Sequence, residues 1–128
     1  MTLRTPLRRV LGLGAAHDGT SHWWAERMTA AALVPLGLWF AVSLLRLDDL
    51  DYAAVHAWAG APLNTVLLVL FVAITFYHSQ LGVRVVIEDY VHGRALKLVS
   101  LVLVDFLHLL LGVASVVAVL RVSFGTAA

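Results

Sequence analysis

The chain contains no cysteine. Disulfides, an iron–sulfur cluster held by its own thiolates and a thiol nucleophile are therefore excluded, and any redox centre must use other ligands. Charge is scarce as well: Asp, Glu, Lys and Arg make up 13% of the 128 residues and leave a net charge of +1. The basic residues are scattered, so nothing supports a nucleic-acid partner. No internal repeat or low-complexity tract stands out. What fills the chain is apolar, with 61% hydrophobic residues and a mean hydropathy of +0.89. A soluble domain has about half its residues apolar, so this chain belongs in a membrane.

Three runs are long enough to cross. Residues 28–45 carry no charge, 63–83 form a second apolar run, and 98–120 a third. Each approaches the roughly 20 residues that span about 30 Å of hydrocarbon. Residues 1–20 hold Arg4, Arg8 and Arg9 without a helical or strand period, and read as a mobile cytoplasmic lead. No adequate apolar run precedes Gly19, which argues against a cleaved signal peptide and makes the first span its own uncleaved signal. Thr20 or Ser21 is the expected N-cap, and Trp23 and Trp24 suit the headgroup layer. Pro35 is expected to kink the first span at most. Arg46 to Pro62 reads as a short acidic loop, and residues 122–128 as a C-terminal tail.

Basic residues set the orientation. Arg4, Arg8, Arg9 and Arg27 precede the first span, and Arg84, Arg94 and Lys97 join the second to the third, against Arg46 and Arg121 on the other side. This excess places the N-terminus and the second link inside. The expected architecture is an all-α membrane protein of three transmembrane helices within residues 21–121, N-terminus cytoplasmic and C-terminus periplasmic, in a bacterial cytoplasmic (inner) membrane. Three helices apolar nearly all round, with small residues such as Ala30, Ala31, Gly82, Gly112 and Ala114 for close packing, make a poor free-standing catalyst and belong in a larger bundle.

The residues with chemistry concentrate in the stretch His78 to Tyr90, HSQLGVRVVIEDY. A helix turning about 100° per residue brings Asp89 to within about 20° of His78, some 16 Å further along the axis. An imidazole inside a span is costly unless paired. Neutral imidazole is a haem ligand, and Gly82, one turn on, would let a flat macrocycle approach the backbone. The plainer alternative is a hydrogen-bonded structural histidine. His108 is disfavoured as a second axial ligand, because counting from Lys97 and Arg84 sets it about 7 to 8 Å deeper than His78. A histidine from another subunit is the better candidate. His108 and Asp105, three apart on one helix face, are expected to bond each other, with a proton path as the alternative. Tyr90 and Asp89 stand where a lipid-soluble quinone and aqueous protons can meet: the phenol can donate to a carbonyl oxygen, and the carboxylate can orient a cation or relay protons. The bland reading is a solvated loop and an aromatic-belt residue. Arg27 can bind a carboxylate such as a haem propionate, or simply a phospholipid.

Taken together, His78, Gly82, Asp89 and Tyr90 in the pattern H-x3-G-x6-DY, the string VVIEDYVHG and the preceding Arg27 resemble the membrane-anchor D subunit family of succinate dehydrogenase, respiratory complex II. The resemblance covers about residues 21–120, and its most specific part is the spacing of His78 to the Asp89–Tyr90 pair. It implies that His78 is an axial ligand of haem b, the other ligand coming from the companion C subunit, and that Tyr90 hydrogen-bonds ubiquinone beside Asp89. It also implies that Arg27 lies near the haem propionates, and that flavin and iron–sulfur clusters reside on a flavoprotein and an iron–sulfur subunit. Asp105 and His108 match no motif of that family. The implied chain anchors the complex in the lipid and serves electron transport in the tricarboxylic acid cycle without binding succinate or being an enzyme alone. Two rivals stand beside it: a quinol-oxidising anchor of the fumarate reductase type, and a purely structural anchor without haem.

Overall fold

The computed structural model describes residues 16–125. They form helices α1 (Ala16–Leu45), α2 (Tyr52–Gly60), α3 (Pro62–Tyr90) and α4 (Arg94–Phe124), with no strand among the described residues. Three of these, over Thr20–Leu45, Pro62–Tyr90 and Arg94–Phe124, are long and apolar enough to cross a membrane. The architecture is the expected three-span all-α membrane protein.

Each spanning helix outruns its apolar run. At about 1.5 Å per residue, the 29 residues of α3 reach about 44 Å, well past the hydrocarbon and into both headgroup layers. The charged ends that looked like span boundaries are therefore helical: Arg84 lies inside α3, and Arg94 opens α4. The expected N-cap at Thr20 or Ser21 is wrong for the same reason. α1 already begins at Ala16, so both residues lie within it. Polar residues in a headgroup layer leave no apolar period to read, but they do not stop a helix. Residues 1–15 of the expected mobile lead, and residues 126–128 of the tail, fall outside the described residues, while 122–124 continue α4. α1 also runs through Pro35 without ending.

The expected acidic loop contains α2. Asp51 caps it, its Oδ1 accepting from the Ala54 N–H at 2.7 Å. Gly60 ends α2, and Pro62 opens α3 at a position where the missing N–H costs nothing. The carbonyls at the end of α2 are met by side chains of the spans. Asn64 Nδ2 donates to Trp58 O at 2.8 Å, and Thr65 and Ser123 hydroxyls donate to Ala59 O at 2.7 and 3.0 Å. A run of rings seals this end of the bundle, with Trp39 stacked on Trp58 and Phe40 on Phe71.

α3 is the central helix. α1 packs against one of its flanks and α4 against another, and among the described residues α1 and α4 do not pack on each other. Among the described residues only Ala59, Thr65, Leu68 and Leu81 are buried, whereas large apolar side chains such as Leu38, Leu103, Phe106 and Leu110 are exposed. In lipid such a surface is at no disadvantage, because acyl chains are as apolar as leucine and helices associate by close packing. One such contact is at Gly112, where an added Cβ would come within 3.4 Å of the Phe76 Cβ. Gly112→Ala should be tolerated, while Gly112→Leu should destabilise the α3–α4 pair by about 1–3 kcal/mol through overpacking, measured as a lower melting temperature in detergent; equal melting for both variants would remove this contact from the account.

Candidate functional site

α3 is unbroken from His78 to Asp89, as the spacing requires, so the two share a face with an axial offset of about 16 Å. His78 is half-buried, and its Nδ1 lies 2.8 Å from Oγ1 of Thr29 on α1. The same hydroxyl lies 2.8 Å from the Ala25 carbonyl oxygen and 3.0 Å from that of Glu26. Carbonyls only accept and the hydroxyl has one proton, so with that proton on a carbonyl the ring nitrogen is the donor. The third contact is then made by the ring, with Nδ1–H donating to Oγ1. A neutral imidazole in this tautomer keeps its lone pair on Nε2, on the side of the ring turned away from Thr29. This is the donor chemistry of an axial ligand. One turn on, a Cβ built on Gly82 would meet nothing within 4 Å, so the backbone there is open to a flat group. Among the described residues no three His, Asp or Glu side chains gather to hold a metal ion. The donor set is thus a single histidine beside an open glycine, which fits a macrocycle whose second ligand comes from elsewhere.

Asp89 and Tyr90 occupy the last turn of α3, both exposed, Tyr90 at 78%. The end of that helix is held firmly. Val91 N–H donates to Ile87 O at 3.0 Å, Lys97 Nζ to Glu88 O at 2.7 Å, and His92 Nδ1 to Tyr90 O at 3.0 Å. A lysine here also complements the negative end of the helix dipole. The phenol of Tyr90 makes no hydrogen bond among the described residues, so its O–H can serve a molecule arriving from the lipid. Arg27 is exposed on α1, with its guanidinium 5.7 Å from the centroid of the Trp23 ring. It is not in contact with His78; its position two residues from Thr29 sets it about 200° round α1.

A second polar group, which the sequence did not reveal as a unit, joins α3 to α4. Gln80 Nε2 donates to Asp105 Oδ1 at 2.8 Å, and Arg84 Nη2 lies 3.5 Å from Asp105 Oδ2. His108 Nδ1–H donates to Val104 O at 2.9 Å, and its Nε2 bonds the Ser79 hydroxyl at 3.2 Å. The expected bond between Asp105 and His108 does not form, because both face α3 and find partners there. His108 is also less deep than expected: it meets Ser79, the neighbour of His78, so the two histidines lie at similar depth. Counting from Arg84 failed because α3 continues six residues beyond it. The ring of His108 is nonetheless engaged with Ser79, so the two histidines do not pair. The signal for this network was Gln80 and Arg84 at i and i+4 on one face; Thr29 carried none, since a helical threonine commonly bonds back to its own turn.

The whole chain to residue 120 matches the family model described as succinate dehydrogenase/fumarate reductase transmembrane subunit. The chain belongs to this family. Within the succinate dehydrogenase/fumarate reductase transmembrane subunits, it is 36% identical over 93 residues to the succinate dehydrogenase hydrophobic membrane anchor subunit of Paracoccus denitrificans, covering 73% of this chain and 72% of that one. It is 32% identical over 116 residues to the protein of the same name in Rickettsia bellii, covering 91% and 93%. The membrane anchor subunit of Reclinomonas americana is 29% identical over 90 residues, covering 68% and 75%. These likenesses identify the chain as a hydrophobic membrane-anchor subunit of succinate dehydrogenase, multi-pass in the membrane.

The Gln80–Arg84–Asp105 group lies at membrane depth, with Asp105 about 6 Å from the midpoint of α4. Asp105→Ala strips Gln80 and Arg84 of their partner and should lower stability by about 1 kcal/mol, the modest figure reflecting the partial exposure of the pair. Thermal melting in detergent measures this, with the exposed Asp49→Asn expected to match the parent; a parent-like Asp105→Ala would show that the network contributes nothing.

Proposed function

We propose that this anchor holds the soluble flavoprotein and iron–sulfur subunits of succinate dehydrogenase at a bacterial cytoplasmic membrane, supplies one axial ligand to haem b, and forms part of a ubiquinone-reduction site. The observation that carries the haem reading is the His78 ring: its Nδ1 lies 2.8 Å from Thr29 Oγ1, which leaves Nε2 as the ligating nitrogen, beside open backbone at Gly82. A further haem ligand would come from a companion C-type anchor, since His108 is committed to Ser79. Haem b, when bound, supplies a one-electron acceptor and donor within the bilayer. Arg27 would be the residue to meet a haem propionate, by the bidentate binding of a carboxylate that a guanidinium allows.

Tyr90 and Asp89 lie on the cytoplasmic side, in the orientation that the excess of basic residues favours. There the phenol of Tyr90 donates a hydrogen bond to a quinone carbonyl oxygen, which stabilises the negative charge that reduction places on it. Asp89, exposed to water beside it, passes protons toward the same oxygen. The capped end of α3 keeps both side chains in register with each other. The chain holds no cysteine for iron–sulfur clusters, so electrons from succinate arrive through its partners. A quinol-oxidising anchor would use the same groups in reverse.

Two expected outcomes test this reading in the complex purified in mild detergent. The wild-type protein should show a b-type signal in its reduced-minus-oxidised spectrum, and His78→Leu should lose that signal in an assembled complex; a wild-type complex without the signal would sink the haem assignment. Tyr90→Phe should lower quinone reduction at least tenfold while succinate oxidation with an artificial acceptor persists, the tenfold corresponding to about 1.4 kcal/mol at the transition state. Unchanged quinone turnover in that variant would remove Tyr90 from the site.

A further inference from the structure

The contact that α1 makes with His78 is unusual for a threonine inside a membrane span. A helical threonine ordinarily satisfies itself by donating to the carbonyl one turn back. Thr29 does so, to Ala25 O at 2.8 Å and Glu26 O at 3.0 Å, yet its oxygen is also within 2.8 Å of an imidazole nitrogen forty-nine residues away in sequence. Donation to a carbonyl polarises the hydroxyl, which makes its oxygen a better acceptor from Nδ1–H. The ring is thereby fixed in one tautomer and in one orientation about its own axis. Nothing else among the described residues bonds the His78 ring.

We propose that Thr29 is a positioning residue: through Nδ1–H of His78 it fixes the tautomer and plane of the haem-ligating imidazole and strengthens its donation, thereby lowering the midpoint potential of the haem. This rests on the reading of His78 as the ligand. Around a metal, the hydrogen bond on the far nitrogen of a ligating histidine orients the ring and raises its basicity. A more basic ligand favours the oxidised iron, so loss of the bond shifts the potential upward. α1 therefore contributes to the haem site without touching the iron, and the turn from Ala25 to Thr29 acts as its support. Valine has nearly the shape of threonine and lacks only the hydroxyl, so Thr29→Val isolates the hydrogen bond from packing.

The test compares wild type, Thr29→Val, Thr29→Ala and Thr29→Ser in the intact complex, by redox titration of the b-type absorbance and by low-temperature EPR of the oxidised haem. The expected result is a higher midpoint and a shifted highest g value in the Val and Ala variants, with Ser returning both toward wild type. Wild-type midpoint and g values in assembled Val and Ala complexes would overturn the proposal while leaving His78 ligation standing. Absence of haem from the wild-type complex would instead remove the reading on which it rests. A stability cycle covers the case in which the Val or Ala complex assembles poorly. If Thr29 acts through His78, Thr29→Ala should add little to the loss already caused by His78→Leu. A full additive loss in that background would show that Thr29 serves α1 packing alone, and would equally overturn the proposal.

Discussion

In hydrocarbon a polar side chain can bond only to protein, and this chain meets that constraint through one helix. α3 carries a hydrogen-bonding face on each flank: His78 toward Thr29 of α1, and Ser79, Gln80 and Arg84 toward His108 and Asp105 of α4. α1 and α4 pack on α3 rather than on each other. Close packing supplies the remaining attraction between helices, since lipid offers no hydrophobic driving force for apolar faces to meet. The polar bonds therefore set which residues stand opposite one another, and the register of the bundle follows from them.

That arrangement separates two kinds of polar group that look alike in composition. Asp105 and His108 are engaged by neighbours on α3, with Asp105 holding two partners at once. His78 is held by one nitrogen only, and Tyr90 stands at the edge with its phenol uncommitted among the described residues. A group whose hydrogen-bonding capacity is filled stabilises the bundle, whereas one with a free lone pair or donor can serve a ligand. By this measure His78 and Tyr90, at two levels of α3, are the groups with bonding capacity to spare, and the α3–α4 network joins the two helices.

The exposed apolar surface fits the same picture of a subunit. Few side chains are buried among the described residues, and α4 exposes Leu103, Phe106 and Leu110 along its length. The family to which the chain belongs is one of membrane-anchor subunits, and its relatives in Paracoccus and Rickettsia carry that name. The three-helix unit presents surface for lipid and for neighbouring subunits instead of enclosing a core.

The sequence by itself determined the membrane class, the three spans and the common face of His78 and Asp89, because hydropathy and helical periodicity depend only on residue order. It also held the pattern of His78, Gly82, Asp89 and Tyr90 on which the family resemblance rested. Polar residues misled it about where helices end, since Arg84 and Ser21 sit in helices that extend through the headgroup layer. It took Asp105 and His108 for each other's partner, because spacing along one helix is visible in a sequence and the facing helix is not. Only the tertiary structure decided that Gln80 and Arg84 hold Asp105, that Ser79 holds His108, and that Thr29 holds His78. Each of those bonds joins residues on different helices, and which side chains meet across that gap depends on the relative rotation and depth of packed helices, quantities that no single helix encodes.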